Sequence, residues 1–359
     1  MIRTHRYFAL TLACWAGVAT LAARPSTQVP QGTIWVTERT LTNSTVAAID
    51  SATGESRGIT AVGSGPIGIT APRGAHKVYS SDENAGQLSV IDADTVTVVG
   101  TVPLSAGSRP HHMMASRNGR YVYVAQFGSN RIGVVDTQVD EKVADFTASF
   151  NPNAKTHAVW IARNGKELYA ANEGFPASAP GTFSKLDART GRLIWEHPVG
   201  IRPSEVLVDD GTAYVSVRNE HVIKVYDVTG AAPVFVGQAE ANLMPDTLSL
   251  TNDKQTLIVG LRGTPARMAF IDTDTLATSY LSLPGTTTGH QWLSRNGRFT
   301  FIALESPGQV AVVDNRSRRV VTTYPYPNGM TRPHGVFYEP PRHDRDERGE
   351  LDDDRDDDR

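Results

Sequence analysis

The chain has 359 residues, of which 40% are hydrophobic and 20% charged, with a formal net charge of −3 and one cysteine. That length and apolar share suit a large folded core and exclude a disordered chain, a collagen-like fibre and a polytopic membrane protein. A lone Cys14 also excludes a disulfide framework and a cysteine-rich zinc module.

Arg3 and Arg6 precede an apolar run over residues 7–23, which small residues end and Arg24-Pro25 breaks. This pattern predicts a secretory signal peptide over residues 1–23, cleaved near Ala22 or Ala23, with an uncleaved anchor as the alternative. Cleavage would remove Cys14, leave no membrane span, and deliver the mature chain to the periplasm or the exterior.

From there the sequence repeats. An Asp closes a β-branched run at Asp50, Asp92, Asp136, Asp187, Asp227, Asp272 and Asp314, at spacings of 40–51 residues. Turns such as Arg117-Asn118-Gly119, Arg163-Asn164-Gly165 and Arg295-Asn296-Gly297 each precede an alternating run, for example Tyr121 to Ala125. Four short strands per unit, with no helical stretch, predict an all-β, seven-bladed β-propeller of four-stranded blades over residues 31–341. The first unit starts at Ile34-Trp35-Val36 without an innermost strand, and a surplus strand follows the last at Pro333-His334-Gly335. The C-terminal strand is therefore expected to complete the first blade and close the ring, removing two free sheet edges. The seven Asp residues are read as turn formers, whose carboxylates accept from turn amides.

Residues 342–359 hold ten Asp or Glu against five Arg, with Leu351 the one sizeable apolar side chain. Such a segment buries too little to offset its ordering entropy and is expected to be a disordered Arg/Asp-rich tail. Set aside, it leaves a body close to neutral with no basic stripe, which excludes nucleic acid as a partner.

The runs Tyr123-Val124-Ala125-Gln126 and Tyr169-Ala170-Ala171-Asn172, the Asp-closed strands and Pro333-His334-Gly335 resemble the YVTN-repeat, YncE-like family of seven-bladed propellers. The resemblance covers nearly all of residues 31–341 and implies the fold. It leaves function open, because that family includes surface-layer proteins, periplasmic binding proteins and lactonase-type proteins.

In a propeller the innermost strand of each blade lines the central channel. Aligning the strand starts gives one ring of Ile67, His111, His157, Ser204, Asp246, His290 and His334, with His112 and Glu205 one place further on. Neutral imidazoles converging with a carboxylate form a ligand set for a divalent transition metal such as copper or zinc. The metal candidates are accordingly His111, His157, His290, His334 and Asp246; the alternative is histidines that bond neighbouring backbone. Just before the ring stand Arg109, Lys155, Arg202 and Arg332, a cationic collar suited to a small anion. The following strands end in acids, Glu38, Asp82-Glu83, Glu173, Glu220 and Glu305, which would neutralise the collar or orient the histidines. Of these, Glu173 and Glu305 join the collar as candidate ligand-binding residues. Trp35, Trp160, Trp195 and Trp292 are read as blade-packing residues.

No GxSxG elbow, HExxH, Walker loop or CxxCH is present. The expectation is an exported propeller that binds a small anion, a metal ion or an extracytoplasmic protein at a histidine-rich channel mouth. The alternative is a metal-dependent enzyme on the same ring. It would be a lactonase-like hydrolase or a metal-centred oxidoreductase, the ring resembling in arrangement the copper-binding ring of nitrous oxide reductase.

Overall fold

The computed structural model describes residues 28–42, 44–329 and 332–341. The signal-peptide and tail expectations fall outside the described residues. Twenty-eight strands form seven four-stranded antiparallel sheets, and the helical content among the described residues is two 3-10 turns, Arg218–Glu220 and Pro327–Gly329. Seven predicted units have become seven blades.

Each blade is an up-and-down meander whose turns were legible beforehand. Asp50 Oδ1 accepts from the amides of Ala52 and Thr53 at 2.9 and 3.0 Å, and Asp187 and Asp272 repeat the pattern. These carboxylates close the turn into the outermost strand and take no part in the channel. Gly119 of the Arg-Asn-Gly turn has φ +71°, and a Cβ there would strike the Arg73 carbonyl of the preceding blade. Only glycine combines that backbone with that approach.

Between blades the core is apolar, divided into seven clusters. Phe299, Phe301, Val310 and Val312 of the seventh blade pack on Ile34, Val36 and Tyr338 of the first. Ring closure follows the expected route. Pro333–Glu339 pairs antiparallel with Thr33–Glu38, Thr33 facing Glu339 and Val36 facing Val336. Two bonds clamp the seam: Trp35 Nε1 donates to Glu339 Oε2 at 2.7 Å, and the Tyr338 hydroxyl donates to the Gln31 carbonyl at 2.6 Å.

One irregularity recurs in all seven innermost strands. In each, the register slips near the strand start, for example between Pro110 and Met113, and between Thr288 and Gln291. Two consecutive residues there oppose one on the second strand, which is a β-bulge. A bulge suspends the strict alternation of faces and re-aims a side chain. Every blade can therefore present two successive side chains toward the axis, and this sets the geometry of the site.

Candidate metal centre and channel

Register assigns the channel positions residue by residue. The first bulge position is Ile67, His111, His157, Ser204, Asp246, Gly289 and His334; the second is Gly68, His112, Ala158, Glu205, Thr247, His290 and Gly335. The single ring expected from strand starts is thus two tiers, and His290 belongs to the second. Its place in the first is taken by Gly289, where a Cβ would lie 2.6 Å from the His334 carbonyl oxygen.

Five imidazoles meet at the axis. His111 and His112 stack with ring centroids 4.9 Å apart and planes 12° from parallel, an arrangement that regular strand alternation forbids and the bulge permits. His157 lies 4.3 Å from His111 and 4.9 Å from His112, His290 lies 4.2 Å from His112, and His334 lies 4.4 Å from His290. None is more than 8% exposed. The histidines therefore line the interior of the channel rather than its mouth.

His111, His112 and His157 each bring a ring nitrogen within 4.8 Å of the other two. Two of the three are held at Nδ1, and Glu173 Oε1 stands 3.8 Å from the Nε2 of His157. His157 Nδ1–H donates to the Ser204 carbonyl at 2.6 Å, and His112 Nδ1–H donates to Glu205 Oε2 at 2.8 Å. Each bond selects the tautomer with a bare Nε2. The buried Nε2 of His112 and Nδ1 of His111 have no hydrogen-bond partner in the protein. Burial, reinforced by the neighbouring imidazoles, holds His111 well below the usual histidine range, and burial with Arg218 does the same for His157. Burial pushes Glu205 upward.

Of the remaining metal candidates, Asp246 and His334 have other partners, whereas His290 Nε2 is buried without one. Asp246, fully buried, is bonded by Arg218 and, at 3.3 Å, by Arg262 Nη1. Burial opposes its charge, but the two guanidiniums hold its carboxyl well below the usual carboxylate range. His334 Nδ1 meets Glu305 Oε1 at 2.7 Å. Burial lowers His334 to about 4, and Glu305 is held at about 2 by His334 and Arg262 against its own burial.

Beyond the histidines lies a charged layer. The equivalent residues at or just past the ends of the second strands are Arg39, Glu83, Phe127, Glu173, Arg218, Arg262 and Glu305, three cations against three anions. Sequence reasoning missed the arginines because attention went to acids at strand ends; the same register count would have found them. Three of the four collar cations meet these acids. Arg109 pairs with Glu83, Arg202 Nε reaches Glu173 Oε2 at 3.3 Å, and Arg332 Nη2 lies 3.8 Å from Glu305 Oε2. Lys155 instead stands 5.4 Å from the Phe175 ring centre.

Three acids named with this group lie elsewhere: Glu38, buried one residue before Arg39, accepts from the Arg332 amide at 3.3 Å. Glu220 pairs with Lys224 at 2.7 Å and accepts from the Ile201 amide. Asp82 is enclosed within its blade, where it accepts from Ser80, Ser89 and the Gly63 amide, and burial pushes its carboxyl up to about 6. The folded chain thus keeps a proton that the unfolded chain has released between about pH 4 and pH 6, so stability falls as pH rises through that window. The loss expected from this one group is about 3 kcal/mol. Urea titrations of the wild type and Asp82→Asn at pH 4.5 and 7 check it: the variant lacks this contribution, and equal pH slopes would refute the assignment.

A cavity of about 570 Å³ occupies the channel on the second-tier side. Its floor carries His112, Glu205, Thr247 and His290; Trp160, Trp292, Met113, Met114, Leu207 and Leu248 supply apolar wall; Arg163, Asn252 and Lys254 stand in the turns after the inner strands. No first-tier residue lines it. Trp160 and Trp292 pack against the core clusters as expected and also border the channel, whereas Trp35 and Trp195 are buried in the core.

No family model matches the chain, and no curated protein matches it in sequence. Solved structures are similar in fold. A Kuenenia stuttgartiensis hydrazine synthase chain is 18% identical with a TM-score of 0.66, covering 83% of this chain and 99% of its own. A Pseudomonas aeruginosa periplasmic gluconolactonase is 17% identical with a TM-score of 0.64, covering 86% and 99%. The dihydro-heme d1 dehydrogenase NirN is 18% identical with a TM-score of 0.58, covering 89% and 78%. At such identities the likeness establishes the seven-bladed propeller and nothing finer.

Proposed function

We propose that the protein is an exported propeller of the YVTN-repeat, YncE-like kind that holds a divalent transition metal, copper or zinc, on His111, His112 and His157. The observation that carries this reading is the pair of anchored tautomers. His157 and His112 are each held at Nδ1 by an oxygen, which puts a lone pair on Nε2, and one ring nitrogen of each of His111, His112 and His157 lies within 4.8 Å of the other two. Metal-binding histidines are oriented in this way. Burial holds His111 and His157 below the usual histidine range, so these two rings lose no proton on binding. No helix among the described residues is long and apolar enough to cross a membrane.

Elemental analysis of protein exported to the periplasm tests the reading. One equivalent of metal is expected in the wild type and none in His111→Ala/His157→Ala. Glu205→Gln keeps the metal with affinity lowered about 10- to 100-fold, since it disturbs only the anchor of His112. A wild type that neither carries nor takes up zinc or copper overturns the proposal.

The cavity beside this centre favours an enzymatic second reading. Three protein ligands would leave zinc a fourth position for water or substrate, the pattern of a catalytic rather than a structural site, and of the three His112 lines the cavity. A lactonase-like hydrolase would hydrolyse lactones with added zinc and lose that activity in the double variant. A collar that binds anions instead would show salt-sensitive capture, abolished by Arg109→Ala/Arg332→Ala.

A further inference from the structure

The cavity has a chemical character of its own. Its walls are apolar and include two indole rings and two thioethers, from Trp160, Trp292, Met113 and Met114. Planar aromatic bodies pack well against both groups. Charge inside it is matched: Glu205 pairs with His112, and Lys254 with Asp209 at 2.7 Å. The remaining charged side chain lining it, Arg163, lies exposed at the outer turn. A multiply charged ligand would find no counter-ion at depth.

The floor is different. The Nε2 atoms of His112 and His290 are both buried and unpartnered, and both residues line the cavity. Glu205 takes the Nδ1–H of His112, so its Nε2 presents a lone pair. A buried acceptor left without a donor costs about 1–3 kcal/mol. The His112 lone pair, with the unpartnered His290 ring 4.2 Å away centre to centre, calls for a ligand that brings a hydrogen-bond donor to the bottom of an apolar cleft.

We propose that the cavity binds a small uncharged hydroxylated aromatic molecule, its ring between the walls bearing Trp160 and Trp292 and its hydroxyl donating to His112 or His290. From Glu205 to Asp209 the cavity follows four residues of strand, about 13 Å, and its volume falls in the usual range for small-molecule sites. One or two fused or linked rings fit that space. The inference deepens the reading of the channel as the functional site but does not depend on a bound metal. If a metal takes His112, His290 accepts instead in its Nδ1–H tautomer.

Calorimetric titration with 4-methylphenol and 4-methylanisole tests the idea, on metal-stripped and on zinc-loaded protein. The two probes share a ring and differ in whether the oxygen carries a hydrogen. The phenol is expected to bind at least about tenfold more tightly. His290→Leu should reduce this preference with the ether's affinity little changed. Leu250→Trp, at a half-buried wall position, should block both probes while thermal melting confirms the fold. Equal binding of phenol and ether overturns the proposal, as does binding that survives Leu250→Trp or no binding at all. Tighter binding of 4-hydroxybenzoate that depends on Arg163 would overturn it in favour of an anionic ligand. Phenol binding by protein that takes up no metal would sink the metal reading and leave this one standing; zinc uptake without phenol binding would do the reverse.

Discussion

A chain that stops at residue 332 fails to form a soluble monomeric propeller. The missing strand Pro333–Glu339 is the innermost of the first blade, and it buries Val336 and Tyr338 against the seventh-blade cluster. Each such side chain contributes about 1.5–3 kcal/mol when fully buried. The ladder to Thr33–Glu38, the Trp35–Glu339 bond and the His334–Glu305 contact go with it. A total loss of about 5 kcal/mol or more rivals the whole stability of an ordinary domain. It also exposes the edge of Thr33–Glu38, whose six residues are all buried in the intact ring, as a template for association. Size-exclusion chromatography of the truncated chain should show aggregate or low yield. A milder variant separates closure from general truncation: Trp35→Phe keeps the ring but leaves Glu339 without its indole donor, at about 1–3 kcal/mol. Monomeric elution and an unshifted melting temperature in the truncated chain would show that closure by the last strand does not hold the ring together.

Arg218→Met is expected to destabilise the protein by about 3–5 kcal/mol, the usual consequence of stranding a buried charge. Asp246 is fully buried, and its carboxylate is sustained by Arg218 on one oxygen and Arg262 on the other. Arg218 also reaches Glu173 Oε1 at 3.4 Å, so its removal loosens the charged layer above the histidines. The pH dependence has a definite sign. A carboxyl held below its unfolded value contributes stability that is present above about pH 4 and lost as pH falls toward its folded value. The difference between wild type and variant should therefore be large at pH 7 and shrink in acid, as chemical denaturation at pH 7 and 3.5 would reveal. Arg218→Met/Asp246→Leu should recover part of the loss by removing the stranded charge. A pH-independent difference would mean that Arg218 acts through packing alone.

The site was partly legible, and the part that was not has a specific cause. His111, His157 and His334 were placed on inner strands from repeat spacing, and all three reach the axis. His290 was placed one residue off: its strand, like that of His157, has a threonine where the other five have a proline, so no proline fixes the register there. Counting back six residues from Ser294-Arg295-Asn296-Gly297, as Ser116-Arg117-Asn118-Gly119 leads back to Pro110, reaches Thr288 and sets His290 beside His112. The role of His112 was less accessible. Strand alternation would turn it away from His111, and nothing in Pro110-His111-His112 by itself announces a bulge.

What the residues determined by themselves is the architecture. Seven Asp-closed turns, period-two strands and a surplus C-terminal strand depend on hydrogen bonds and side-chain alternation among near neighbours in the chain, so the ring of blades could be counted before it was seen. Only the tertiary structure decided which imidazoles share a tier, that Arg218 and Arg262 occupy Asp246, and that a cavity reaches the second tier while none of the first lines it. Those outcomes turn on distances between side chains dozens to hundreds of residues apart. Ring closure and the repeated bulge set such distances, and no local pattern encodes them.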